Sequence, residues 1–274
     1  MSSNSDDDSD VEENNYVVSI QLRSSSENGE PVNVAIDPED DEDIETVVTL
    51  LKEEECVPKV WVDVVRAYHM AANGEERTEK RGCEKRLLLA FFNETKWGEM
   101  DERKWTEIGH IEDRALLMVF MGAYWTEEYA KLDALFGRDE YKVSWNEAYD
   151  WYAKAQKLVQ AASDDDEEKY SLPLALAHWG KGKLFYLKSR RDSDRGNGTY
   201  HSFTIFLYNS NTQHQHTTEE DDRDNESREN LRSAVAEFEN AKNVDGTFKV
   251  MEFVKQGIMD FNSGDFQSAK AHFK

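Results

Sequence analysis

Among residues able to do chemistry, His214 and His216 come nearest to a recognised arrangement. The pair stands beside Glu219, Glu220, Asp221 and Asp222, supplying nitrogen and oxygen donors of the kind zinc uses. The surrounding stretch is rich in Gln, His and Thr, however, and donors in such a segment arise from composition and are not preorganised, so no metal is expected. His69, His110, His178, His201 and His272 have no partner at a recognised spacing and are expected to be satisfied or exposed helix residues. The Trp179-Gly-Lys-Gly-Lys183 run has two lysines among glycines, but it lacks the GxxxxGK[ST] spacing and falls within a helical pattern, which argues against a nucleotide phosphate site. No GxSxG, HExxH or GxGxxG occurs, and the carboxylates lie in runs that suit a solvated face better than an acid/base pair. Cys56 and Cys83 form no CxxC and are expected to be thiols in a reducing compartment. These residues predict neither an enzyme nor a cofactor.

What could recognise a partner depends on how the helices are arranged, and one spacing recurs along the chain. A small residue, a large one four positions on and alanine three further appear as Ala148, Tyr152 and Ala155 and as Ala234, Phe238 and Ala241. The spacing is looser at Cys83, Leu87 and Ala90, and is cut short at Ala269 and Phe273. This is the second-helix half of a tetratricopeptide repeat: the small residues admit a close first helix, and the large one fills the gap to the next repeat. First-helix candidates precede each, with Trp61 and Tyr68 seven apart in the first and Gly122, Gly182 and Gly257 at the close-contact positions of the others. The pattern predicts an all-α fold over 58–274, a tetratricopeptide-repeat right-handed superhelix interrupted by a polar insertion at 189–229 and by shorter ones at 91–112 and 130–143. Residues 200–216 contain no Lys, Arg, Asp or Glu between densely charged flanks, which reads as a disordered insertion or a translated non-coding segment in preference to a binding loop. Since the chain stops at Lys274 inside the fourth second-helix signature, it is expected to be truncated at its C-terminus. Such arrays hold peptides in a concave groove lined by first helices. The register puts Arg66, His69 and Met70, then Trp179, Lys183 and Tyr186, then Ile258, Phe261 and Asn262 on that groove.

Ahead of the repeats, residues 1–15 are Ser, Asp, Glu and Asn with little else apolar than one Val, a composition that predicts a disordered acidic tail. Within 16–57, Val18, Ile20 and Leu22 alternate with polar residues, as do Val32, Val34 and Ile36, predicting a short strand pair. Ile44, Val47, Val48 and Leu51 then mark one face of a helix with acids at its start. The 274 residues carry 57 Asp plus Glu against 33 Lys plus Arg, a net charge of −24, which disfavours direct nucleic-acid binding. Residues 1–57 hold 18 of those acids against Arg23 and Lys52 alone, so the repeat region is only mildly acidic. No apolar run approaches the roughly 20 residues of a membrane helix, and the N-terminus has no signal-peptide pattern, so no membrane partner is expected.

In order, VVSIQLR, a break, VNVAI, an acidic stretch, IETVVTLLKEE and VWVDVVRAYHMAANG resemble the N-terminus of the tetratricopeptide scaffold subunit of the RNA polymerase II-associated factor (PAF) complex. LALAHWGKGKLFYLK resembles that family's ALLGKA-type first helix, with Gly180, Lys181 and Gly182 on the matching positions. The resemblance implies a non-enzymatic scaffold in the nucleus. Such a subunit holds the complex's other subunits against elongating RNA polymerase II, contacted directly or indirectly, and supports cotranscriptional histone modification. Two other readings rank behind it: a co-chaperone or other peptide-binding adaptor, for which Arg66, Lys183 and Asn262 are too scattered to form a clamp, and a hydrolase, for which the groove supplies no carboxylate pair.

Overall fold

The computed structural model of the chain describes residues 16–22, 32–39, 43–72, 77–101, 104, 110–133, 140–162, 170–196, 218–244 and 252–272. Of the described residues 82% are helical, and the only sheet among them is a two-stranded antiparallel one, so the class is mainly α. The chain divides into two compact units, 1–99 and 100–274. The first helix pair, expected to open the repeat array, therefore groups with the N-terminal elements.

In the first unit, β1 (Val18–Gln21) pairs with β2 (Asn33–Ile36) so that Val18 faces Ile36 and Ile20 faces Val34. Period-two alternation buries Ile20 and Ile36 on the face turned to the helices. Helix α1 (Ile44–Glu53) starts where the Asp43 carboxylate accepts the Glu45 N–H at 3.2 Å, an N-cap reinforced by Glu45 in the first turn. Its 3.6-residue stripe buries Val47, Val48 and Leu51, each worth roughly 1.5–3 kcal/mol at full burial, and leaves Ile44 half-buried. The helix ends with Glu55 at φ 45°, where Cys56 N–H donates to Leu51 C=O at 3.0 Å. Helix α2 (Pro58–Ala71) opens on proline, which needs no partner for its nitrogen there, and buries Trp61, Val64, Val65 and Tyr68. Helix α3 (Arg77–Glu94) packs on α2 through Leu87, Leu88, Ala90 and Phe91, the last edge-on to Trp61 at 5.6 Å. Across its surface, Arg86 ties Glu45 of α1 to Glu94, and Lys52 reaches Glu94 at 2.8 Å.

The second unit is a series of antiparallel helix pairs. Helices α4 (Ile111–Asp133) and α5 (Glu140–Ala162) form one pair, and α6 (Ser171–Gly196) and α7 (Thr218–Val244) the next. Helix α6 also packs against both α4 and α5. Then follow α8 (Glu252–Ser263) and α9 (Phe266–His272), joined through Gly264 at φ 86°, a left-handed turn in which Asp265 N–H donates to Asp260 C=O at 2.9 Å. Ala269 of α9 reaches the core made by Tyr186 of α6 and Leu231, Ala234, Val235 and Phe238 of α7.

The interruptions expected from sequence are narrower than their stated bounds. Helix α3 runs on to Glu94, α4 to Asp133, α6 to Gly196, and α7 begins at Thr218. At α6 and α7 the extensions give periodicity nothing to read because they are polar: DSDRG closes α6 and EEDDRDNES opens α7. Contacts across the pair fix them instead. Ser189 Oγ donates to Ser227 C=O at 2.8 Å, Ser227 Oγ to Ser189 C=O at 2.9 Å, and Lys188 meets Glu226 at 3.0 Å. The acidic tail 1–15, the uncharged stretch 200–216 with His214 and His216, and Phe273 lie outside the described residues.

Candidate functional site

Helix α6 packs against α4, α5 and α7 and leaves one face open. Its 26 residues begin Ser171-Leu-Pro173, with proline confined to the first turn, where its missing N–H costs no hydrogen bond. Gly180 and Gly182 then sit mid-helix, each at a propensity cost of about 1 kcal/mol relative to alanine. The neighbours explain them. A Cβ at Gly180 would fall 2.6 Å from Tyr152 Oη and closer still to ring carbons, and one at Gly122 of α4 would fall 2.7 Å from Tyr152 Cε1. The Tyr152 ring of α5 therefore occupies a slot walled by glycines of α4 and α6, its phenol 3.1 Å from Thr126 Oγ1 and pushed above the usual tyrosine range by complete burial. One step along, a Cβ at Gly182 would fall 2.6 Å from Phe238 Cδ1 of α7. Ala148, Ala155, Ala234 and Ala241, the small members of the two signatures, are fully buried.

With both flanks of α6 closed in this way, two stripes remain. On one, Lys181 is buried among α5 and α7: its ammonium donates to Gln156 Oε1 and lies 4.7 Å from the Tyr149 ring centre. His178 Nδ1 stands 2.9 Å from Gln156 Nε2 and 2.5 Å from Glu237 Oε2. Burial lowers the Lys181 pKa, the Glu237 charge opposing the shift. Phe185 joins Trp145 and Tyr149 of α5, which stack at 5.3 Å, and Lys188 lies 5.6 Å over Trp145. This side is a polar and aromatic cross-link between successive helices.

The other stripe is open. Leu172, Leu176, Trp179, Lys183, Leu187 and Arg190 recur at steps of three and four residues; Leu172, Lys183 and Arg190 are exposed, and the other three are half-buried. At 1.5 Å per residue the stripe spans about 27 Å. Its N-terminal half is apolar and its C-terminal half alternates cation and leucine. Lys183 and Arg190 make no ion pair among the described residues.

Of the groove residues expected from sequence, Trp179 and Lys183 lie on this stripe. Trp179 also packs its ring 5.0 Å from Phe238. Tyr186 lies at the stripe's edge and is buried in the α6, α7 and α9 core, with 6% of its surface exposed. Phe261 is half-buried against the same core, Asn262 is exposed, and the Ile258 side chain lies outside the described residues. Arg66, His69 and Met70 belong to the first unit, where Arg66 and Met70 are exposed. His69 Nδ1 there faces the buried Glu84 carboxylate at 3.2 Å, beside Arg81, in a cluster whose members lie 3 to 15 residues apart in sequence. The sequence reading missed Leu172, Leu176, Leu187 and Arg190, although continuing the 3–4 spacing outward from Trp179 and Lys183 finds them.

Among the described residues, no three His, Cys, Asp or Glu side chains converge as a metal site, and no helix is long and apolar enough to cross a membrane. No family model, curated protein or solved structure matches the chain. What the stripe presents is apolar surface beside two exposed cations.

Proposed function

We propose that this chain is a non-enzymatic scaffold built of tetratricopeptide repeats in a right-handed superhelix, with α6 as a first helix lining its groove. On this reading it serves in the nucleus as the repeat subunit of the polymerase-associated factor complex, gathering that complex's other subunits during transcription elongation and histone modification. The observation that carries the repeat assignment is the Tyr152 ring held between Gly122 and Gly180, two first-helix glycines of successive pairs, with Phe238 repeating the relation at Gly182. A ring that reaches from its own pair into the next is what stacking of like units requires, because a single pair cannot bury its apolar face alone. What supports the identity of the complex is the resemblance in the order of strands, acidic helix and Trp61-bearing helix at the N-terminus. The partners are proteins; direct nucleic-acid or membrane contact has no support in a chain of net charge −24.

Affinity purification of the tagged full chain from nuclear extract, followed by mass spectrometry, tests this. Recovery of polymerase-associated factors at 0.3 M salt, roughly twice physiological ionic strength, is the expected result. Recovery of cytosolic chaperones alone would replace it with the co-chaperone reading.

A further inference from the structure

We infer that the open stripe of α6 docks an acidic, apolar-anchored segment of a partner protein, with Lys183 and Arg190 meeting its carboxylates. The inference rests on the scaffold reading and adds the chemistry of one of its partners. Carboxylates outnumber cations 57 to 33 in this chain, and those elsewhere on its surface hold several of its cations, Arg66, Lys104 and Lys242 being other exposed ones without an ion pair among the described residues: Lys52 and Arg86 hold Glu94, Lys96 holds Glu55, Lys131 holds Glu128, Lys188 holds Glu226 and Arg232 holds Glu229. Lys183 and Arg190 stay unpaired among the described residues despite that surplus, seven residues apart on one side of one helix. Two turns of helix separate them by about 10.5 Å, the reach between carboxylates seven apart on a facing helix or three apart on an extended chain.

Charge alone would also suit a polyanion such as RNA, and the apolar members decide between the two. Leu172 is 39% exposed, and Leu176, Trp179 and Leu187 are half-buried, leaving an apolar strip that phosphates and riboses do not cover. Apolar anchors flanked by a few placed charges are how a helix or peptide is held in a protein groove. The cations contribute by steering and by fixing register, since exposed pairs add little affinity singly.

The probe is a fluorescein-labelled 18-residue helix of Leu, Glu and Ala with leucines at three- and four-residue spacing, compared with its Leu, Lys and Ala counterpart and with a single-stranded RNA 12-mer, by anisotropy on the full chain. Tighter binding of the acidic peptide, an affinity loss of about tenfold in the Lys183→Glu, Arg190→Glu double variant, and a gain for the lysine peptide are expected. Leu172→Ser should weaken the acidic peptide without reversing the charge preference. All three side chains are at least partly solvent-exposed, so helix content and melting temperature should be unchanged and serve as the folding control. Equal binding of both peptides, indifference to the charge reversal, or preference for the RNA would overturn the inference. If nuclear extract still yields polymerase-associated factors while the peptides show no charge preference, this inference alone fails; loss of those factors from wild-type pull-downs defeats the scaffold reading instead.

Discussion

The slot that holds Tyr152 makes a sharp quantitative expectation, because a single methyl group added at Gly180 has nowhere to go. The new Cβ would lie 2.6 Å from Tyr152 Oη and nearer to its ring carbons. The ring has little room to move, since Gly122 of α4 also lines the slot, with its own Cβ position 2.7 Å from Tyr152 Cε1, and Thr126 Oγ1 lies 3.1 Å from the hydroxyl. Two effects of Gly180→Ala oppose each other. Alanine at a mid-helix position favours the helix by about 1 kcal/mol. Overpacking of a closed core site costs about 1–3 kcal/mol, and a ring fixed on three sides belongs at the upper end, about 3. Overpacking wins by about 2 kcal/mol, which in a unit of this size lowers the melting temperature by about 4–8 °C. The assay is a thermal melt followed by circular dichroism at the helix band on the full chain. Gly82→Ala provides the internal contrast: nothing lies within 4 Å of a Cβ there, so propensity alone operates and the variant should be neutral or stabilised by up to about 1 kcal/mol. Tyr152→Leu in the Gly180→Ala background should recover part of the loss as a non-additive term, because the smaller side chain vacates the slot. A Gly180→Ala protein melting at or above the wild-type temperature would refute the ring-in-slot packing and with it the inter-pair contact on which the repeat assignment rests.

Gly98→Ala should be still more damaging, because the methyl would meet the backbone carbonyls of Phe91 and Phe92, which cannot turn away as a side chain can; more than about 2 kcal/mol is expected by urea unfolding. Acidification should loosen α1 from α3. The Glu94 and Glu45 carboxyls are held below the ordinary value of 4.5 by hydrogen bonds from Lys52 and Arg86 to the former and from Arg86 to the latter. A lowered folded pKa means that this stabilisation is fully present above 4.5 and is lost as pH falls below it, so melts between pH 6 and pH 3 should show a drop that Arg86→Met makes shallower. Removing residues 1–15 should leave the melting temperature unchanged, whereas removing 16–57 should unfold or aggregate the first helix pair, since Ile20, Ile36, Val47, Val48 and Leu51 are each at most 3% exposed. Limited proteolysis that trims the intact chain rapidly to about residue 57 would contradict that expectation.

The parts of this fold that were legible in sequence are those whose signal is a short-range period. The alternation at Val18, Ile20, Val34 and Ile36 placed both strands, and the Val47, Val48, Leu51 face placed α1. The Ala148–Tyr152–Ala155 spacing calls for a ring in the gap to the next pair and for a close-contact glycine at Gly122; that Gly122 lies against the Tyr152 ring itself is a matter of tertiary packing. The second wall could be located only through tertiary packing: the spacing put Gly182 at the close-contact position of its pair, and only three dimensions set Gly180 against Tyr152 and Gly182 against Phe238. Polar helix ends escaped for a related reason: around Ser227 no apolar stripe exists, and the hydrogen bonds that fix the segment come from Ser189, 38 residues earlier. The same distance in sequence hid the partners of the histidines, His178 meeting Glu237 59 positions away. In the candidate groove, helical register identified Trp179 and Lys183 but put Tyr186 on the same face, although its 40° offset turns it into the α7 core.

The paired serines at the far end of α6 and α7 also bear on what this helix pair can carry. Because Ser189 and Ser227 close the hairpin with reciprocal bonds, and Lys188 and Glu226 brace it beside them, the mouth of the pair is pinned before the connecting chain begins. The entropy of closing a longer connection grows only logarithmically, about 0.6 kcal/mol for each doubling. A lengthened connection between α6 and α7 is therefore expected to leave Ser189 opposite Ser227, and an unchanged melting temperature after an insertion there is the check.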